Sequence, residues 1–175
     1  MARKLRRECV AITTEAGSGH LTSSLSCADI VAALFFRPMR WDPTDPGARN
    51  VDSFILSKSH ASPILWAALH EAGASNENLL SLRQFGSRFE GHPTPANPWA
   101  RVATGSLGQG LPAANGIALA NRLDGIPANV YCLLGDGECS EGSVREAAQF
   151  ASLNRLSDLI AIVDVNALEK SAPTP

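Results

Sequence analysis

The sequence predicts an α/β fold, a parallel sheet flanked by helices, and three observations carry that prediction. Residues 130–134 and 159–163 are short, unbroken apolar runs, the composition of strands buried on both faces. Helix-like patterns over 111–123 and 144–153 alternate with them, as crossover helices do between parallel strands. Asp136 and Asn166 fall just past the ends of the two runs, where open parallel sheets place their ligands.

The remaining elements follow in chain order. Residues 3–16 have helical composition and stop at Gly17-Ser18-Gly19. Ser26, with Asp29 three residues on, predicts a capping box that opens an apolar helix running to Phe36. Pro38, Pro43 and Pro46 mark a loop around Trp41. Residues 54–56 form a short apolar run ahead of Ser57-Lys58-Ser59-His60, and a helix pattern follows over 64–71. Residues 91–98, with three prolines, read as a loop. The glycine-rich stretch 105–110 then leads into the alanine-rich helix pattern 111–123.

Composition removes several function classes. Over 175 residues, hydrophobic side chains make up 45% and charged ones 18%, the balance of an ordinary globular protein. Fifteen Lys+Arg against seventeen Asp+Glu leave a formal charge of -2, with no clustered basic face for nucleic acid. Arg3, Lys4, Arg6 and Arg7 are interleaved with Leu5, Val10 and Ile12, which predicts the solvated face of an N-terminal helix. Four cysteines without a C-x-x-C pair read as reduced thiols. No apolar run reaches membrane-spanning length and no signal peptide is evident, so the expected setting is the cytoplasm, away from membranes.

Asp136 sits between two glycines directly after one predicted strand, and Asn166 lies three residues past another. If those strands are neighbours, a carboxylate and an amide oxygen meet at one sheet edge. Magnesium takes such hard oxygen donors and keeps phosphate oxygens and water in its remaining positions. Gly137 would allow a diphosphate close to the backbone, and the helix after Glu141 would offer amide donors. Spacing alone leaves a second reading open: Gly135-Asp136-Gly137 as a tight turn and Asn166 as a cap.

The segment Leu133-Leu134-Gly135-Asp136-Gly137-Glu138-Cys139-Ser140-Glu141-Gly142-Ser143-Val144-Arg145-Glu146-Ala147, with Asn166 some thirty residues on, resembles the transketolase family of thiamine-diphosphate enzymes. Four further segments resemble the same family in the same order: Gly17-Ser18-Gly19-His20-Leu21-Thr22-Ser23, Leu56-Ser57-Lys58-Ser59-His60-Ala61, Gly91-His92-Pro93, and Ala103-Thr104-Gly105-Ser106-Leu107-Gly108-Gln109-Gly110. The likeness runs from about residue 3 to the end of the chain.

That resemblance implies a thiamine-diphosphate-binding fold, specifically the diphosphate domain, spanning 1–175 as a single unit that is incomplete at its C-terminal end. It implies thiamine diphosphate and Mg²⁺, or Ca²⁺, as cofactors. Asp136, Asn166 and the backbone oxygen of Leu168 would hold the metal, and Gly137 would touch the diphosphate. Lys58 and His60 would lie near that diphosphate, and Gly105, Ser106 and Leu107 would pack round the cofactor. His20 and His92 would donate hydrogen bonds to substrate oxygens, with Ser23 nearby. Glu141 and Glu146 would be interface acids sharing protons between active sites; an acid-enriched helix N-terminus explains them as well. His70 has no assigned role.

The reaction implied is transfer of a two-carbon ketol unit from a ketose phosphate to an aldose. The family completes its site with a pyrimidine-binding domain from a partner subunit. The expectation is therefore a split-enzyme subunit, a truncated copy or a degenerate one, inactive without a pyrimidine-binding and C-terminal polypeptide, in a homodimer or heterotetramer. Three departures stand out: Leu21 for a usual proline, Ser59 for a usual glycine, and Glu169 for a neutral residue. A glycine at 59 would matter most if that backbone needs positive φ. Residues 105–110 have the wrong order of glycines for a nicotinamide-binding fingerprint, and the histidines lack zinc-ligand spacing. A non-catalytic regulatory or oligomerisation subunit remains the alternative.

Overall fold

β1 (Ser53–Leu56), β2 (Val130–Gly135) and β3 (Leu159–Asp164) pair in parallel, in the order β1-β2-β3. The register sets Leu56 beside Leu133, and Gly135 beside Asp164. This computed structural model describes residues 1–167, and its contacts gather the chain into two compact units. One comprises Met1–Ala48 and Ser59–Ala103; the other comprises Arg49–Lys58 and the chain from Thr104 onward.

The second unit holds the sheet, with helices α5 (Gly110–Leu123) and α6 (Gly142–Leu153). Leu111, Ala114 and Ala118 are buried along one face of α5, and the two alanines let that helix approach the strands closely. Gly110 is required at its first turn, because a Cβ there would lie 2.4 Å from the Ser57 Cβ and 2.6 Å from its Cα. Val130 to Leu134 of β2 are buried throughout, as the apolar run predicts. The same expectation fails for β3, where Ala161 and Val163 are exposed. Among the described residues β3 is an edge strand, and no packed layer covers the face that carries Ala161 and Val163. Apolar composition reports a capacity for burial, not the neighbour that provides it.

The first unit is helical: α1 (Ala2–Ala16), α2 (Leu21–Ser26), α3 (Ala28–Phe36) and α4 (Ser62–Glu71). Leu5, Cys9 and Ile12 form the buried stripe of α1, while Arg3 and Arg7 face solvent as the interleaved pattern predicts. Gly17 ends α1 in the left-handed conformation, at φ 58°. The predicted capping box does not form. Ser26 is the last residue of α2, Cys27 caps α3 without a side-chain bond, and Asp29 pairs with Arg6. A serine already inside a helix lacks the extended backbone that capping needs. Beyond α3, the indole nitrogen of Trp41 donates to the Phe35 carbonyl at 3.1 Å, and Trp41 meets Trp99 edge-on. Among the described residues no helix is long and apolar enough to cross a membrane.

Candidate functional site

Asp136 is the first residue beyond β2, and pairing with β3 brings the 164–167 segment alongside it. The Asp136 amide donates to the Asp164 carbonyl at 3.2 Å. Its carboxylate accepts from the Gly137 amide at 3.0 Å and from the Ala167 amide at 2.8 Å. Ala167 adopts a left-handed φ of 59°, next to the half-buried Asn166. The strands carrying Asp136 and Asn166 are thus neighbours, as the sequence argument requires. Leu168, the third expected ligand, lies outside the described residues. Gly137 opens a 3-10 turn over Gly137–Ser140, and its amide is directed at Asp136.

Glu138, in that turn, is a residue that sequence reasoning misses. Only 2% of it is exposed. One carboxylate oxygen accepts from the Ser57 hydroxyl and from the Gly108 amide at 2.8 Å; the other accepts from the Gly135 amide at 3.2 Å. A single carboxylate therefore ties the end of β1, the glycine-rich loop and the Asp136 turn together. A signal is present in the sequence, since Ser57, Gly108 and Gly135 are all small residues inside the motifs named above. Nothing in their spacing says that one acid serves all three.

The ammonium of Lys58 pairs with Asp164, and both side chains are buried, at 1% and 6% exposure. Lys58 is expected near a diphosphate; its observed partner is this aspartate, which no sequence motif singles out. Removing one member of such a pair leaves an uncompensated buried charge, a cost of about 3–5 kcal/mol. Gly105, Ser106 and Leu107 are exposed, and the Ser106 amide donates to the Gln109 side chain at 3.3 Å. Gly108 takes φ 81°, and its carbonyl accepts from the Ser143 hydroxyl at 3.0 Å. A Cβ on Gly108 would sit 2.2 Å from that hydroxyl oxygen, so the loop needs glycine for both conformation and space. Glu141 is the N-cap of α6 without a side-chain capping bond, and Glu146 lies beyond the first turn, which holds no acid. Both are exposed.

The histidines belong to the helical unit. His20 is the N-cap of α2, and its ring meets His60 edge-on with centroids 5.3 Å apart. Ser23 is one helical turn further along α2. The Nδ1 of His92 lies 2.9 Å from the Ser59 hydroxyl. Burial, and then the charges of Arg83 and His20, hold the His92 imidazole below the usual histidine pKa. Ser59 is not among the positive-φ residues of the described chain, so a serine there carries no backbone strain. His20, His60 and His92 thus form one neighbourhood. His70 stands apart on the last turn of α4, 3.9 Å from Glu71.

Known proteins resemble this chain in sequence and in fold. Human transketolase is 52% identical over 99% of this chain, which spans 28% of that protein. One subunit of the apulose-4-phosphate transketolase of Phocaeicola vulgatus is 39% identical over 99% of the chain, covering 62% of its length. Among solved structures, transketolase from Campylobacter jejuni superposes with a TM-score of 0.92 at 35% identity, over 98% of this chain and 28% of that one. Transketolase from Leishmania mexicana gives 0.91 at 33% identity, over 96% and 27%. The chain therefore spans little more than a quarter of the full-length transketolases it matches. The family model described as the thiamine diphosphate binding domain of transketolase matches residues 1–172, and the chain belongs to that family.

Proposed function

We propose that this chain is the metal- and diphosphate-binding part of a transketolase, moving a two-carbon ketol unit from a ketose phosphate to an aldose. The observation that carries this reading is the pair of neighbouring strand ends. They set the Asp136 carboxylate one hydrogen bond from the residue after Asn166. Carboxylate, amide and carbonyl oxygens are a hard donor set that suits Mg²⁺ or Ca²⁺ better than zinc. Thiamine diphosphate bound beside that metal would supply the electron sink for breaking and forming a carbon–carbon bond.

In this reading the chain's own residues bind, position and donate. Asp136 and Asn166, with the Leu168 carbonyl, hold the metal. The start of α6 receives the diphosphate on backbone amides, and Gly137, with no side chain, lets it come close to the backbone. Glu138 holds the loop carrying Gly105, Ser106 and Leu107 against the Asp136 turn, so that the cofactor meets a fixed surface. Lys58 acts on the diphosphate side through the Asp164 it pins, and His60 stands with His20. His20 and His92 donate hydrogen bonds to sugar oxygens as negative charge develops there, and Ser23 contacts the same substrate. The lowered pKa of His92 supports a neutral ring at working pH, able to donate without becoming a fixed cation.

The activity also requires a pyrimidine-binding and C-terminal polypeptide, in a homodimer or heterotetramer in the cytoplasm. The Phocaeicola vulgatus relative, named as one subunit of its enzyme, supports a two-polypeptide arrangement. The exposed Phe150 and Leu153 on α6, near Glu141 and Glu146 in sequence, support a partner over that helix.

The test is ketol transfer from xylulose 5-phosphate to ribose 5-phosphate with thiamine diphosphate and Mg²⁺. The chain is assayed alone and mixed with a pyrimidine-binding polypeptide from the same source. Activity is expected only in the mixture, and Asp136→Asn should abolish it while leaving the fold intact by circular dichroism. No transfer in the mixture, together with no cofactor binding by calorimetry, would refute the proposal.

A further inference from the structure

The loop that carries His92 is held by one face of the segment running into α4. The Ser62 hydroxyl donates to the Gly91 carbonyl at 2.9 Å, and the Trp66 indole nitrogen donates to the Glu90 carbonyl at 2.8 Å. Ser59, at 2.9 Å from His92 Nδ1, completes a series at i, i+3 and i+7, the spacing of a single helical face. All three side chains are buried, at 0%, 1% and 0% exposure. Two of the contacts fix the loop backbone. The third falls on the imidazole itself.

A neutral imidazole carries one proton, and the hydrogen bond at one nitrogen decides where it sits. The serine hydroxyl can rotate to donate or accept. The form with its proton on Nε2 is the intrinsically favoured neutral tautomer, and a hydroxyl donating to Nδ1 stabilises that same form. We propose that Ser59 is a positioning residue: its hydroxyl donates to Nδ1 of His92, holds the ring in the Nε2–H tautomer, and so presents an N–H donor.

The surroundings are consistent with this arrangement. Arg83 reaches over the loop, because a Cβ on Gly91 would lie 2.6 Å from its Nε, and Arg83 also contacts the Ser18 hydroxyl at 3.3 Å. Arg83 and His20 are the charged or titratable groups that act on His92 from outside its loop. Within the loop, Glu90 accepts from the Thr94 hydroxyl. Arg83 and His20 both oppose protonation of His92, and protonation would also oblige the Ser59 hydroxyl to turn from donor to acceptor, because the imidazolium has no lone pair at Nδ1. The consequence for catalysis rests on the ketol-transfer reading. The tautomer does not.

The experiment is imidazole nitrogen NMR on the full chain, following His92 from pH 5 to 9 in the wild type, Ser59→Ala and Ser59→Gly. The wild type should show a protonated Nε2 and an unprotonated, hydrogen-bonded Nδ1. Loss of the hydroxyl should shift the tautomer ratio toward Nδ1–H, by at most about fivefold, the weight of one ordinary hydrogen bond, and raise the His92 midpoint. A wild-type ring protonated on Nδ1 would overturn the proposal without recourse to any variant. So would an unchanged ratio and midpoint in both variants. In the reconstituted mixture, Ser59→Ala should lower kcat/KM and displace its pH profile along with the His92 midpoint. If the spectra behave as expected while wild-type mixtures transfer no ketol, the positioning role stands and the ketol-transfer reading falls.

Discussion

Replacing Glu138 by glutamine keeps the volume and removes the charge, and the consequences can be worked from three hydrogen bonds. The amide oxygen can replace only one carboxylate oxygen. Placed where it still accepts from Ser57 and Gly108, it turns the amide NH₂ toward the Gly135 amide, donor against donor. The two surviving bonds lose their charge assistance, about 1 kcal/mol each, and the unpaired Gly135 amide costs about 1–3 kcal/mol. Relief from holding a carboxylate at 2% exposure offsets part of this. The net expectation is a loss of about 2–3 kcal/mol. Urea unfolding should show a lower midpoint with an unchanged slope. Hydrogen exchange at the Gly108 amide should accelerate beyond the global change, because that bond reports the glycine-rich loop directly. A Glu138→Gln chain within about 0.5 kcal/mol of wild type, with Gly108 still protected, would refute the claim that this carboxylate organises the turn.

Two further predictions concern the scaffold. Gly110→Ala places a methyl group 2.4 Å from the Ser57 Cβ, so α5 must retreat from the end of β1. Overpacking of this kind costs about 1–3 kcal/mol, and a lower melting temperature in calorimetry is expected. In the helical unit, burial and a hydrogen bond to Glu71 push the Glu8 carboxyl up to about 8. The bond from Glu8 holds Glu71 below the usual range, helped by Lys4, so the two carboxylates share one proton. Because the folded-state pKa of Glu8 is raised, its contribution is complete below the ordinary glutamate value of 4.5 and fades as pH rises through about 8. Glu8→Gln should therefore flatten stability against pH and exceed the wild type above pH 8, measured by urea unfolding across that interval. A wild type equally stable on both sides would contradict the shared proton.

Much of this architecture is legible in the order of residues. The 130–134 run, the alternating helix patterns and the glycine stop after α1 are local signals, and local signals survive folding because they act within one turn or one strand. The Ser26 capping box fails for the same reason that makes such motifs tempting: Ser26 has the right chemistry, but its backbone is already committed to α2. The 159–163 run is a strand, as its composition implies, yet it is not covered on both faces, since coverage depends on elements distant in sequence.

The candidate site divides along the same line. Residue order is enough for the family, for the positions of Asp136 and Asn166 past their strands, and for three motif histidines set apart from His70. The pairings needed the fold. Lys58 meets Asp164 across 106 residues, Ser57 meets Glu138 across 81, and Ser59 meets His92 across 33. A hydrogen bond depends on distance and angle in space, and one sequence holds no record of which distant groups folding brings within reach.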